Sequence, residues 1–211
     1  MTQHRYDSLR HEYAKLAPHY DIRWKTYIDA SVREARRSLL LAAGDSVLDI
    51  GCGTGVLLAE LAREIPGVRL AGIDLSNEML AIARRRLGTD VELKEASAED
   101  LPFGDATFDA VVSTSVFHYI REPQRALQEM RRVLKSGGRL VIVDWCDDYL
   151  TCRVCDAFLR IFDAGHFRTY RSDELCELLV DAEFSDVKVE RYKVSWLWGM
   201  MTAVANRPDH L

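Results

Sequence analysis

The segment VLDIGCGTG, Val47 to Gly55, runs a short apolar strand into Gly51, Gly53 and Gly55 and straight on into a helical pattern. Glycines this close together let the backbone turn sharply and let a ligand lie against the main chain without meeting a Cβ atom. The turn after the first strand of an open α/β sheet is where such sheets hold ligands. The spacing narrows the choice. A dinucleotide loop needs G-x-G-x-x-G, whose third glycine would fall at Val56, and no Gly-Lys-Ser/Thr follows to make a P-loop. Asp74 closes the next apolar run, 19 residues after Gly55, where a carboxylate can accept from both hydroxyls of a ribose. A cradle for an adenosine ligand without phosphates, plus an acid for its ribose, describes S-adenosylmethionine.

The cysteines suggest no second chemistry. Cys52, Cys146, Cys152, Cys155 and Cys176 are odd in number, in a chain long enough to fold without staples. Cys152-x-x-Cys155 lies inside the helical pattern TCRVCDAFLRIF, with only Cys146 and His166 near it, so no zinc ligand set is complete. Buried free thiols and no metal are the expectation.

The elements that must position the loop alternate along the chain. Residues 7–17 and 26–42 read as helices. Ser46–Ile50 is a strand, and Thr54–Ile65 a helix with Leu57, Leu58, Leu61 and Ile65 on one face, stopped by Pro66-Gly67. Arg69–Ile73 is a strand, followed by a helix capped by Ser76 and ended by Gly88. Val91–Glu95 and Phe108–Ser113 read as strands. Pro123 opens a helix closed by Gly137-Gly138, before the strand Arg139–Val143. Helices over about 151–163 and 172–182 precede SDVKVERYKV and WLWGMMTAVA, two adjacent strands that must be antiparallel to each other. Repeated β-α units with short connections predict a three-layer α/β fold around a mostly parallel sheet.

Composition excludes other classes. Of 211 residues 48% are apolar and 29% charged, a globular balance. Lys+Arg 28 against Asp+Glu 33 leaves a net charge of −5, the wrong sign for a protein that grips phosphates, so no nucleic acid partner is expected. The longest apolar stretch, Trp196–Ala205, is too short for a bilayer span of about 20 residues. The opening MTQHRYDSLRHE lacks the apolar core of a leader. A cytoplasmic protein with no integral membrane segment is expected.

Together VLDIGCGTG, AGIDLS, ASAEDLPFGDATFDAVVS and ALQEMRRVLKSGGRLVIVDW resemble the class I S-adenosylmethionine-dependent methyltransferases, in particular the ubiquinone/menaquinone C-methyltransferase-like (type 11) branch. The resemblance covers residues 45–145. It implies a Rossmann-like, seven-stranded sheet with an antiparallel last strand, in a single domain over 1–211. Residues 1–42 would be a helical lid, 45–145 the cofactor core, and 146–211 the substrate-side helices and terminal hairpin. It also implies that Asp49 and the Gly51, Gly53 and Gly55 backbone border the methionine part of S-adenosylmethionine. Asp74 would take the ribose, and Leu75 and Met79 would pack on the adenine. Ala98 would meet the adenine ring through its backbone. Ser97 stands where related sequences carry Asp, and Ser97 or Glu99 would meet the adenine amino group. Ser113 and Ser115 would line the amino end, and Tyr20, with Tyr13, His19 and Trp24, would belong to the lid.

The acceptor implied is a small or lipophilic molecule, methylated by in-line displacement. His118, just past the fourth strand at the binding edge, and His166, between the two later helices, are the candidate bases for an acceptor that must lose a proton. Two alternatives stand beside this reading: an NAD(P)-dependent oxidoreductase, and a non-catalytic S-adenosylmethionine-binding protein. The residues leave monomer and homodimer both open.

Overall fold

The computed structural model describes residues 13–162, 167–195 and 198–209, without the side chains of 158–162. The described residues open on helical backbone at 13–16, followed by a 3-10 turn, Ala17–His19, then α1 (Tyr20–Arg23) and α2 (Lys25–Leu39). α2 buries Val32, Ala35 and Leu39 at helical spacing against the sheet and ends where Leu40 turns left-handed at φ 49°. The helical run is therefore nearly unbroken from 13 to 39, and stops short of the 42 expected. The expected helix at 7–17 falls largely outside the described residues.

Seven strands follow: β1 (Ser46–Ile50), β2 (Arg69–Asp74), β3 (Glu92–Glu95), β4 (Phe108–Thr114), β5 (Leu134–Trp145), β6 (Ser185–Lys193) and β7 (Gly199–Asn206). Their order is β3-β2-β1-β4-β5-β7-β6. Neighbours are parallel except at β7, which runs antiparallel to both β5 and β6. Central strands such as β1 are buried at every position, as a sheet covered on both faces requires. The edge strand β6 alternates exposed and half-buried residues. The strand order turns outward in both directions from between β1 and β4, opening a crevice at their carboxyl ends.

Helices α3 (Val56–Glu64), α4 (Asn77–Leu87), α5 (Pro123–Val133), α6 (Leu150–Phe162) and α7 (Ser172–Asp181) cover the faces. α3 starts later than the expected Thr54, because its N-cap is Gly55 at φ 79° and Thr54 belongs to the loop. Ser76 caps α4 by accepting the Met79 N–H at 3.3 Å, and Gly88 ends it. A second boundary also differs from expectation. The Gly137-Gly138 pair does not close α5, which ends at Val133, but lies inside β5. Gly137 is left-handed at φ 70°, and a Cβ on Gly138 would sit 2.7 Å from the Lys135 carbonyl. The glycines shape the irregularity where β5 changes register on β4 between Phe108 and Ala110.

Asp148 fastens the end of the sheet to α7. It accepts the Ser172 N–H at 3.1 Å and hydroxyl at 2.5 Å, and lies 3.3 Å from the Arg191 guanidinium. Burial pushes its carboxyl up, but the Ser172 hydrogen bonds and Arg191 outweigh it and hold the group at about 2. Asp148→Ala is expected to cost about 2–3 kcal/mol at neutral pH, the scale of hydrogen bonds to a charged group. The folded value lies below the unfolded one, so this stabilisation is present above about pH 4 and disappears as pH falls towards 2. Urea unfolding at pH 7 and pH 3 should show a gap between variant and wild type that closes at the lower pH.

Candidate active site

The crevice holds a cavity of about 790 Å³, counted out to its open mouth. Gly51 and Gly53 line it from the loop after β1. Asp74 and Leu75 come from the end of β2, and Met79 from α4. Ser97, Ala98 and Glu99 come from the turn after β3, Ser115 from the end of β4, and Tyr20 from α1. Six elements, four of them strands of the parallel sheet, thus deliver ten of the residues read from the sequence to one space. A second recess of about 440 Å³ shares Tyr20, Gly51, Gly53 and Ser115 with the first and continues beneath α2, adding Asp49 and Tyr27.

The loop itself is built from left-handed backbone, with φ 70°, 53° and 79° at Gly51, Gly53 and Gly55. These three glycines do different work. A Cβ on Gly51 would collide with Val116 Cγ2 at 2.3 Å, whereas a Cβ on Gly53 would meet nothing, leaving open space over the main chain. Gly55 does not line either recess: its Cβ would meet Leu87 and Ala83 of α4 at 2.9 and 3.2 Å, so its smallness serves helix packing. Ser113 also stays out of the cavity, wholly buried within β4.

The walls carry carboxyl groups. Asp74 accepts the Gly53 N–H at 2.9 Å and the Ser76 N–H at 2.8 Å, one on each carboxylate oxygen. Burial raises its carboxyl, and those backbone donors oppose the rise. Asp49 is more strongly affected, pushed up to about 8 by burial and then by the nearby charge of Asp74. Its Oδ1 is buried without a hydrogen-bond partner. Among the described residues lining both recesses there is no Lys, Arg or His. Tyr13 also lines the cavity and donates from its phenol to Tyr119 at 3.0 Å. Burial pushes the Tyr20 phenol up to about 12, so it is a neutral donor at ordinary pH. Ser97 and Glu99 bond to each other, Ser97 Oγ donating at 3.2 Å and accepting the Glu99 N–H at 3.3 Å.

The candidate bases fare differently. His166 lies outside the described residues. His118 is buried in a 3-10 turn, Phe117–Tyr119, whose neighbours Val116, Tyr119 and Ile120 line the cavity while His118 does not. Its Nδ1 lies 2.7 Å from Asp144 Oδ1, and its backbone N–H donates to Asp144 Oδ2 at 3.0 Å. The ring stacks on Trp145 at 5.0 Å. The pairing of His118 with Asp144 is not legible in the sequence, since only the tertiary fold brings the end of β5 beside the turn after β4. Cys152 is engaged with Gly199, accepting its N–H at 3.2 Å, and no group of metal-ligating side chains occurs among the described residues.

This geometry fits a positively charged adenosine ligand. Residues 48–142 match the family described as a methyltransferase domain. The chain is 39% identical over 140 residues to a demethylmenaquinone methyltransferase of Thermus thermophilus, covering 63% of this chain and 64% of that protein. It is 33% identical over 166 residues to an O-methyltransferase of Penicillium expansum, covering 76% of this chain and 59% of that one. The chain thus spans less than two thirds of the length of these curated relatives. The solved complex of the Haloferax volcanii Trm112 methyltransferase activator with a methyltransferase contains a chain that superposes with a TM-score of 0.83. That match covers 96% of this chain and 98% of the other at 23% identity, a likeness of fold.

Proposed function

We propose that this chain, which belongs to the class I S-adenosylmethionine-dependent methyltransferases, transfers a methyl group to a small-molecule or lipophilic acceptor. The observation that carries the reading is the pair of joined recesses, with open glycine backbone between two buried carboxyl groups. Asp74 would accept from the ribose hydroxyls, Leu75 and Met79 would cover the adenine, and Ala98 would meet its edge through the backbone. Asp49 would face the positively charged methionine end. When bound, the cofactor supplies an activated methyl on a sulfonium. The chain's share is then to orient the acceptor in line with that methyl and to keep water out. Half-buried Tyr13, Tyr20 and Tyr119, which line the cavity, suit that second task. The relatives named for demethylmenaquinone and for O-methylation support a small-molecule or lipophilic acceptor, and five unpaired thiols support a reducing, cytoplasmic setting.

Calorimetry with S-adenosylmethionine, S-adenosylhomocysteine and NAD tests the cofactor. Tight binding of NAD alone would sink the reading in favour of an oxidoreductase. Methyl transfer to a panel of quinols, phenols and amines separates an enzyme from a protein that only binds the cofactor. Asp74→Ala is expected to keep the fold and weaken S-adenosylhomocysteine binding by about 1.5–3 kcal/mol, the scale of a charged hydrogen-bond partner lost. Unchanged affinity in the folded variant would remove Asp74 from the ribose.

Asp49 makes a separate prediction. Its folded value lies above the unfolded one, so ionising it costs stability as the pH rises through about 8. A cation placed beside it must displace its proton. Binding of S-adenosylmethionine at pH 7 is expected to release about one proton, read from calorimetry in buffers of different ionisation heat. Asp49→Asn should bind with almost no proton release and should melt higher than wild type at pH 9. Equal proton release in both proteins would take Asp49 out of the cation's neighbourhood.

A further inference from the structure

Thr54 sits at the crest of the glycine loop, between Gly53 and Gly55, and is buried. Two elements hold it. From α4, Arg86 donates through Nη1 to the Thr54 carbonyl at 2.6 Å and to its hydroxyl at 2.9 Å. From α1, Asp21 accepts the Thr54 hydroxyl proton at 2.6 Å on one oxygen and pairs with Arg86 Nη2 through the other. Asp21 follows Tyr20, which lines both recesses. Opposite, Asp74 pins the Gly53 N–H, and Cys52 donates its N–H to the Ile73 carbonyl at 2.8 Å.

The Asp21–Arg86 pair, with its shared hold on Thr54, therefore joins the covering segment to the loop it covers. We infer that Asp21 and Arg86 are positioning residues that couple closure of the N-terminal segment to the shape of the glycine loop, and so set how fast the cofactor product leaves. The reasoning is linkage. Tyr20 can wall the cavity only while Asp21 is docked, and the docked state is the one with the complete pocket. Arg86 presents two nitrogens, one to the loop and one to Asp21, a shape the planar guanidinium provides and an ammonium does not. The Arg86 and Asp21 side chains are 31% and 34% exposed, so salt can compete for the pair. As an isolated surface pair it would do little for stability. Its consequence lies in what it connects. The inference rests on the proposed S-adenosylmethionine site and names the groups that control residence there.

The test uses the full chain and S-adenosylhomocysteine, with stopped-flow dissociation of wild type, Asp21→Asn, Arg86→Gln and the double variant. Each single change is expected to speed dissociation about tenfold, and the double no more than either alone, because both break one connection. Raising sodium chloride should speed dissociation from wild type and leave the variants nearly flat. Should Arg86→Gln fail to fold, Arg86→Lys keeps the charge, loses the fork and is read the same way. Effects that multiply in the double variant, or single variants that dissociate at the wild-type rate, overturn the inference. A merely structural role would lower the melting temperature without this coupling or salt response. Failure of wild type to bind S-adenosylhomocysteine would refute the cofactor site itself and the inference with it.

Discussion

A protein truncated before Lys25 is expected to melt cooperatively and yet lose turnover by about 100-fold or more, the cost of misplacing reactants by an ångström or so. The first half follows from where the core lies. Every strand begins at or after Ser46, and α2, which remains, keeps Val32, Ala35 and Leu39 buried against the sheet. The second half follows from what leaves. Tyr13 and Tyr20 are part of the cavity wall, and Asp21 is the group through which that wall holds Thr54. Without them the site opens to water, and segments that close over a substrate both complete the pocket and keep it dry. S-adenosylhomocysteine should also bind more weakly. Circular dichroism melting, calorimetry and single-turnover methyl transfer check the three parts. Full activity in the truncated protein would show that these aromatic residues do not close the site.

Much of this arrangement is legible in the residues because the central strands are apolar runs punctuated by glycine, proline and capping serine. β1, β2 and β4 announce themselves that way, and the loop after β1 is a local pattern of nine residues. Where local signals carry two meanings, sequence reading goes astray. Gly137-Gly138 has the form of a helix stop, yet only the pairing of β5 with β4 reveals that a strand needs it. Gly55 belongs to the same short motif as Gly51 and Gly53, but its neighbours, Ala83 and Leu87, come from a helix nearly 30 residues later. Asp21, Thr54 and Arg86 are separated by 33 and 32 residues, and no spacing rule joins them. His118 is the instructive case: its place after β4 puts it at the right edge, while the 3-10 turn decides which of its residues line the cavity.

Replacing His118 with Asn is expected to lower kcat by about 10²–10⁴ for an acceptor that surrenders a proton, with S-adenosylhomocysteine affinity nearly unchanged. The geometry sets the roles. Asp144 is buried and accepts from the Nδ1 side at 2.7 Å, which favours the tautomer with its proton on Nδ1 and leaves Nε2 as the basic nitrogen. Asp144 is itself held by the Trp145 N–H at 2.7 Å, and Trp145 stacks on the imidazole, so the ring has little freedom to turn. Asp144→Asn should therefore also lower kcat, because an amide no longer enforces that tautomer, while leaving the ring stacked. The opposing role is structural, since His118 lies behind Val116 and Tyr119 rather than in the cavity wall, its ring 4.0 Å from that of Tyr119. In that case both variants would lose melting temperature together with cofactor affinity. A fully active His118→Asn removes the base and leaves an acceptor already neutral in the pocket, for which positioning alone suffices.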